Sequence, residues 1–302
     1  MEITNIRTDA DLYGYSAWLA AHLGYKVNPR PLRHFQHGWI WWDHEDMPYL
    51  KGFGLDPNVN DYWGTLVQDD NVRDFLKLNG IYAKTCGLPF ISFLENSGLK
   101  GLMGTRQPGS ILYVPTHSNP WNNFTEDIIE NAKKFALNSH QKCSIMLAWN
   151  DRHAATHLQE YFEKIEFGAG ALEGLSFYRM MRIFESYEFM VTDSPGSHIC
   201  YGLACGMRVG IHEGLYNLWF RGKHGQHSID SQRTIKGEHA EQKIKVLSLE
   251  YMDKKFPGIA TSSIRPTYNT ATKIKPEQPH VIADALGWNV TYPCDLMAIK
   301  AK

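Results

Sequence analysis

Four short apolar runs, each separated from the next by a helical pattern, constrain this chain more than any other feature. Ile111 to Val114, Ser144 to Ala148, Glu188 to Val191 and Arg208 to Ile211 read as strands. Between them, Thr125 to Leu137 carries Ile128, Ile129, Ala132, Phe135 and Ala136 on a helical period, with Thr125 able to cap it. Ala154 to Ile165 is amphipathic through Leu158, Tyr161, Phe162 and Ile165, and Leu175 to Phe184 and Gly196 to Cys205 are further helix candidates. Strands alternating with helices predict βαβ units and a parallel sheet, so the fold class is α/β.

The residues before this region are less regular. Asp9 to Leu23 reads as a helix ending at Gly24, Thr65 to Val67 as a strand, Asp70 to Leu78 as a helix ending at Asn79-Gly80, and Ile81 to Thr85 as a strand. Gly98 to Ser110, with Gly at 98, 101, 104 and 109 and Pro at 108, has a linker-like composition. A boundary there divides the chain into residues 1–105 and 106–302. Beyond Gly222 the sequence is polar, with a helix predicted from Glu238 to Phe256.

Thirty-one Lys and Arg balance 32 Asp and Glu for a net charge of -1. That balance gives no electrostatic case for nucleic acid or an anionic membrane as main partner. A hydrophobic fraction of 43% with 21% charged residues excludes disorder, collagen and coiled coil. The five cysteines form no CxxC pair and no metal spacing, and an odd number does not complete a disulfide framework. Cys200 and Cys205 lie in an apolar helical run, where a small buried thiol is expected. The first residues show no basic region followed by an apolar core, and no apolar run reaches the length of a membrane span. The expectation is a reducing, cytoplasmic setting, with a peripheral contact at the inner membrane face left open.

In an open parallel α/β sheet, ligands bind beyond the carboxyl ends of the strands. Reading just past each predicted strand gives Pro115-Thr-His-Ser-Asn-Pro120, Trp149-Asn-Asp-Arg152, Thr192-Asp-Ser-Pro-Gly-Ser-His198 and His212-Glu213-Gly214. Gly196 allows a close backbone approach, Ser194 and Ser197 offer hydroxyls, and the next helix offers a positive dipole end suited to phosphate. The bland alternative is a helix capped by Ser194 or Asp193. His117, flanked by Thr116 and Ser118, can donate to a phosphate or to charge on a leaving group, or can be a turn histidine bonded to backbone. Asn150 belongs to the same edge. Glu213 can accept from ribose or sugar hydroxyls; Glu173 can read a base or ribose, or cap a helix. Arg221, Lys223 and His224 can clamp a diphosphate or form a solvated face.

His34, His37, Asp43, His44, Glu45 and Asp46 make a further cluster, but their spacing matches no zinc signature. No metal is expected. Asp43, Glu45 or Asp46 can act as a general base, against the alternative of a solvated acidic loop. Trp39, Trp41 and Trp42 can stack on sugar faces or belong to a core.

Val191-Thr-Asp-Ser-Pro-Gly-Ser-His-Ile-Cys-Tyr-Gly-Leu-Ala-Cys-Gly-Met-Arg-Val209 resembles the donor-binding half of GT-B glycosyltransferases, with Leu203 to Val209 in place of an "ALxxGxPV"-like turn and Arg208 where Pro is common. Gln36-His-Gly38 is similar to the "QHG" turn of bacterial surface-polysaccharide transferases. Leu66 to Gly80, followed by Gly87-Leu-Pro-Phe90, and Pro115-Thr-His-Ser118 resemble other segments of that group. The resemblance implies a GT-B-like fold of two Rossmann-like domains facing a cleft, the N-terminal one reduced, with no cofactor and no metal.

On that resemblance the donor is a nucleotide sugar. The resemblance puts His117, Ser118, Ser194, Gly196 and Ser197 near the donor phosphates and Glu213 near the nucleotide, and the strand-end reading adds Thr116, Asn150, Glu173, Asp193 and His198 as donor-binding residues. The acceptor is a saccharide or lipid-linked saccharide held by His37, Trp39 and Trp41. Asp43 or Glu45 would be the base, and His117 would stabilise the departing phosphate. Two other readings remain: a nucleotide-sugar 2-epimerase, and a non-catalytic nucleotide-binding or scaffold protein with a degenerate donor fold.

Overall fold

A computed structural model describes residues 12–25, 34–36, 65–68, 70–118, 123, 125–139, 142–168, 170, 173–193, 196–212, 259–260, 277–286 and 288. Its strands are β1 (His34–Phe35), β2 (Thr65–Val67), β3 (Ala83–Thr85), β4 (Gln107–Val114), β5 (Ser144–Leu147), β6 (Ile165–Phe167), β7 (Tyr187–Thr192), β8 (Arg208–His212) and β9 (Ile259–Ala260). Its helices are α1 (Tyr15–His22), α2 (Asp70–Leu78), α3 (Pro89–Asn96), α4 (Thr125–Asn138), α5 (Ala155–Leu158), α6 (Ser176–Ser186), α7 (Ser197–Ala204) and α8 (Pro279–Ala285), with a 3-10 turn at Trp149–Ala154.

β1, β2 and β3 form a small parallel sheet. The large sheet has the order β6-β5-β4-β7-β8-β9, with β4 to β8 parallel and β9 antiparallel to β8. β4 is central; the chain steps outward from it through β5 and β6, then crosses to β7 and β8 on the other side. That order is Rossmann-like, and its reversal lies between β4 and β7.

Alternate residues of each strand point to opposite faces, and here both faces are buried. Ile111, Tyr113, Ile145, Leu147, Phe189 and Val191 pack on one face with Ile128, Ala132 and Phe135 of α4 and with Leu158 and Phe162. Leu112, Val114, Met146 and Met190 face the other way, into a core shared with α6, α7 and the N-terminal helices α1 and α3. Phe90 stands 5.3 Å edge-on from Phe177 and 4.5 Å from Tyr201, so residues on both sides of position 105 contribute to this second core.

Two predicted elements come out differently, and one helix was not predicted. The helix expected over Ala154 to Ile165 is only the 3-10 turn and the four-residue α5, because Ile165 is drawn into β6, where it pairs with Ile145. Pro89–Asn96 is a helix, with Pro89 in the first turn, where its missing N–H costs nothing. The linker-like stretch Gly98 to Ser110 already contains the start of β4, which carries an irregularity between Gln107 and Ile111. Glu188 Oε2 accepts the Gly109 N–H there at 2.6 Å.

The buried Glu185 of α6 holds this same stretch: its two oxygens accept the N–H groups of Gly101 (2.6 Å) and Met103 (3.1 Å). Glu185→Ala leaves both donors without that partner and is expected to cost about 1–3 kcal/mol, read as a lowered denaturation midpoint. Cys86, Cys143, Cys200 and Cys205 are unbridged and buried. Burial pushes the Cys143 and Cys205 thiols up to about 12, so these side chains behave as small apolar groups. Cys294 and the predicted helix from Glu238 to Phe256 lie outside the described residues. Among the described residues, no helix is long and apolar enough to cross a membrane.

Candidate functional site at the carboxyl edge of the large sheet

Val114 and Thr192 are register partners at the ends of β4 and β7. The loops that follow therefore leave the sheet side by side, at the point where the strand order reverses. Asp193, 1% exposed, ties the two loops together. Its Oδ1 accepts the Thr116 N–H at 2.5 Å and the Thr116 hydroxyl at 3.0 Å, and its Oδ2 accepts the Tyr113 hydroxyl at 3.1 Å. Burial pushes the Asp193 carboxyl up to about 6, against the hydrogen bonds from Thr116 and Tyr113, which favour the charged form. Both Asp193 and Thr116 thus face inward and act as positioning groups.

The next residues are held from the β5 side. Asp151, also 1% exposed, accepts the Ser118 N–H at 2.8 Å and the Thr125 hydroxyl at 3.2 Å. Asn150 Nδ2 donates to the Ser118 carbonyl at 3.2 Å. Ser118 is buried between these contacts, whereas His117 is exposed. His117 Nδ1 lies 3.0 Å from the Ser118 carbonyl oxygen, which can only accept. Nδ1 therefore carries the hydrogen, and donation from Nε2 to a ligand requires the imidazolium form. The position of Asp151 was legible in Trp149-Asn-Asp-Arg152; its role was not, because a carboxylate bonding backbone of a different loop leaves no pattern in sequence.

α7 starts at the same edge. Gly196 is its N-cap and brings no side-chain cap. The His198 ring folds back so that Nε2 lies 2.8 Å from Thr192 Oγ1 at the end of β7. A Cβ at position 196 would lie 2.6 Å from His198 Nδ1, so glycine makes room for the ring. Asp193 is engaged by Tyr113 and Thr116 instead, and Ser194, the other cap candidate, lies outside the described residues. The far end is closed in a Schellman turn: Gly206 adopts φ 82, and Met207 N–H bonds the Gly202 carbonyl at 2.9 Å. Arg106 donates to the carbonyls of Cys205 and Gly206.

Glu173 lies after β6, two strands from β4, and pairs with Arg179 at 3.0 Å. The structure thus brings Thr116, His117, Ser118, Asn150, Asp193, Gly196, Ser197 and His198 to one edge, with Glu173 farther along it. Asp43, Glu45, His37, Trp39, Trp41, Ser194 and Glu213 lie outside the described residues, as do Trp42, His44, Asp46, Arg221, Lys223 and His224. Among the described residues, no three His, Cys, Asp or Glu side chains gather as a metal site would require.

The fold and edge define an α/β protein with a Rossmann-like parallel sheet and a polar site at its topological switch point. No family model matches the sequence, and no curated protein matches it. Among solved structures, the chain is similar to the pneumococcal O-GlcNAc transferase GtfA, determined in complex with UDP and GlcNAc, at a TM-score of 0.34 and 14% identity. The match covers 74% of this chain and 44% of that one, so this chain spans less than half of the other's length. The site therefore stands on its own geometry.

Proposed function

We propose that this edge binds the diphosphate of a nucleotide sugar and that the protein is a metal-independent glycosyltransferase of surface-polysaccharide assembly. The observation that carries the reading is the exposed His117, fixed by the Asp193–Thr116 and Asp151–Ser118 contacts at the switch point beside the start of α7. A histidine held in place there can meet negative charge, and such stabilisation is usually the largest catalytic contribution. In this reading residues 106–302 hold the donor and residues 1–105 the acceptor, at His37, Trp39 and Trp41. An acceptor hydroxyl attacks the anomeric carbon, and its proton passes to Asp43 or Glu45. The bond to the diphosphate oxygen breaks, with His117 and the Ser194–Ser197 loop receiving the charge.

The test is a thermal-shift panel of UDP, GDP, CMP, ADP and dTDP on the wild type, His117→Ala and Ser197→Ala. A ligand that binds only the folded state at a hundredfold excess over its Kd stabilises by about 2.7 kcal/mol. One nucleotide is expected to raise the wild-type Tm and to lose most of that shift in both variants. No shift with any nucleotide overturns the reading.

A further inference from the structure

We propose that Trp149 and Arg152 form the platform on which the planar base of the nucleotide stacks, an assignment that rests on the nucleotide reading above. Trp149 directly follows Ala148 at the carboxyl end of β5 and is 45% exposed, although a large aromatic ring gains by leaving water. Its exposure does not come from looseness. The ring opens the 3-10 turn Trp149–Ala154, and the Arg152 guanidinium stands over it at 5.1 Å. Arg152 also donates to the Trp149 carbonyl at 3.1 Å, and Phe167 of β6 meets the ring edge-on at 6.4 Å. A ring already fixed in place loses little conformational freedom when a second ring stacks on it.

The location selects the ligand. Asn150, the next residue, holds the Ser118 carbonyl, so the aromatic platform and the His117 loop are coupled through one short turn. Neighbouring strands lie about 4.8 Å apart, so the platform is one strand from the loop after β4, and the Glu173 loop is a second strand farther. A nucleoside diphosphate spans that interval with its phosphates at His117 and its base over β5. Stacking tolerates any base, while the outward N–H groups of Arg152 favour ring carbonyl oxygens.

The experiment is calorimetric titration of UDP, ADP and inorganic pyrophosphate into the wild type, Trp149→Ala, Trp149→Phe and Arg152→Ala, with tryptophan fluorescence followed in parallel. The better nucleotide is expected to bind the wild type about tenfold or more tightly than pyrophosphate. Trp149→Ala removes that advantage and leaves pyrophosphate affinity unchanged. Trp149→Phe keeps most of it while losing the fluorescence quenching, and Arg152→Ala reduces it. If pyrophosphate binds and the nucleotides bind no better, or if Trp149→Ala leaves nucleotide affinity intact, the platform is wrong and the phosphate site stands. If neither pyrophosphate nor nucleotide binds, both assignments fall.

Discussion

Asp193→Ala is expected to destabilise the protein by about 3 kcal/mol or more and to abolish nucleotide binding at the switch point. The substitution strips the partner from three buried donors: the Tyr113 hydroxyl, the Thr116 N–H and the Thr116 hydroxyl. Each such loss costs about 1–3 kcal/mol. It also releases the loop that fixes His117, so the binding loss exceeds what the stability loss alone would give. Asp193→Asn separates the two effects, because an amide oxygen still accepts from Thr116 while the charge is gone. The carboxyl also makes stability depend on pH. Its folded pKa, about 6, lies above the ordinary carboxylate value. The folded state therefore holds this proton more tightly, and the resulting stabilisation is complete below about pH 4 and is lost as pH rises through 6. The difference corresponds to about 3 kcal/mol. Denaturation midpoints between pH 4 and 7 should show this contribution in the wild type and lack it in Asp193→Asn; identical pH profiles would remove Asp193 from the account.

Gly14→Ala is expected to be at least as damaging. Gly14 precedes α1 with φ +77, and a Cβ there would lie 2.2 Å from the Gly174 carbonyl oxygen and 2.6 Å from the Gly174 carbonyl carbon. The left-handed backbone costs an alanine about 1–2 kcal/mol. The collision adds about 1–3 kcal/mol, since backbone atoms cannot rotate aside as a side chain would. Gly24, also at φ +77, has nothing within 4 Å of its would-be Cβ. Gly24→Ala therefore carries only the backbone cost and serves as the internal control. Equal losses in urea midpoint for the two variants would show that the N-terminal segment does not press on the loop before α6.

The elements that were legible in sequence are those whose signal is local. Thr65–Val67 and Asp70–Leu78 match their predicted limits, and the runs Ile111 to Val114 and Phe189 to Val191 stand out because they are apolar and buried throughout. β6 was hidden because only three residues pair, one of them Glu166, and the helical spacing of Leu158, Tyr161, Phe162 and Ile165 runs straight into it. The first half of β4 was hidden because Pro108 and Gly109 are unusual in a strand, and the Glu188 carboxylate that accommodates the irregularity comes from far along the chain. In the site, the hydroxyl- and histidine-rich loops were visible as residues past strand ends. Which of them face a ligand was not visible, since Asp193, Thr116 and Ser118 are turned inward by partners on other loops.

The two faces of the large sheet are supported by different parts of the chain. Among the described residues, the layer built on Ile111, Tyr113, Ile145, Leu147, Phe189 and Val191 draws on residues 111–191. The opposite layer is completed by Tyr15, Leu19, Phe90 and Phe93. Detachment of the N-terminal helices therefore uncovers α6 and α7, which lie on one side of the sheet, and leaves the other side closed. In amide exchange, the backbone of α4 should outlast that of α3, and α6 and α7 should exchange together with α1 as one cooperative opening. The β4 and β7 amides, lying in the plane between the layers, would report the global transition.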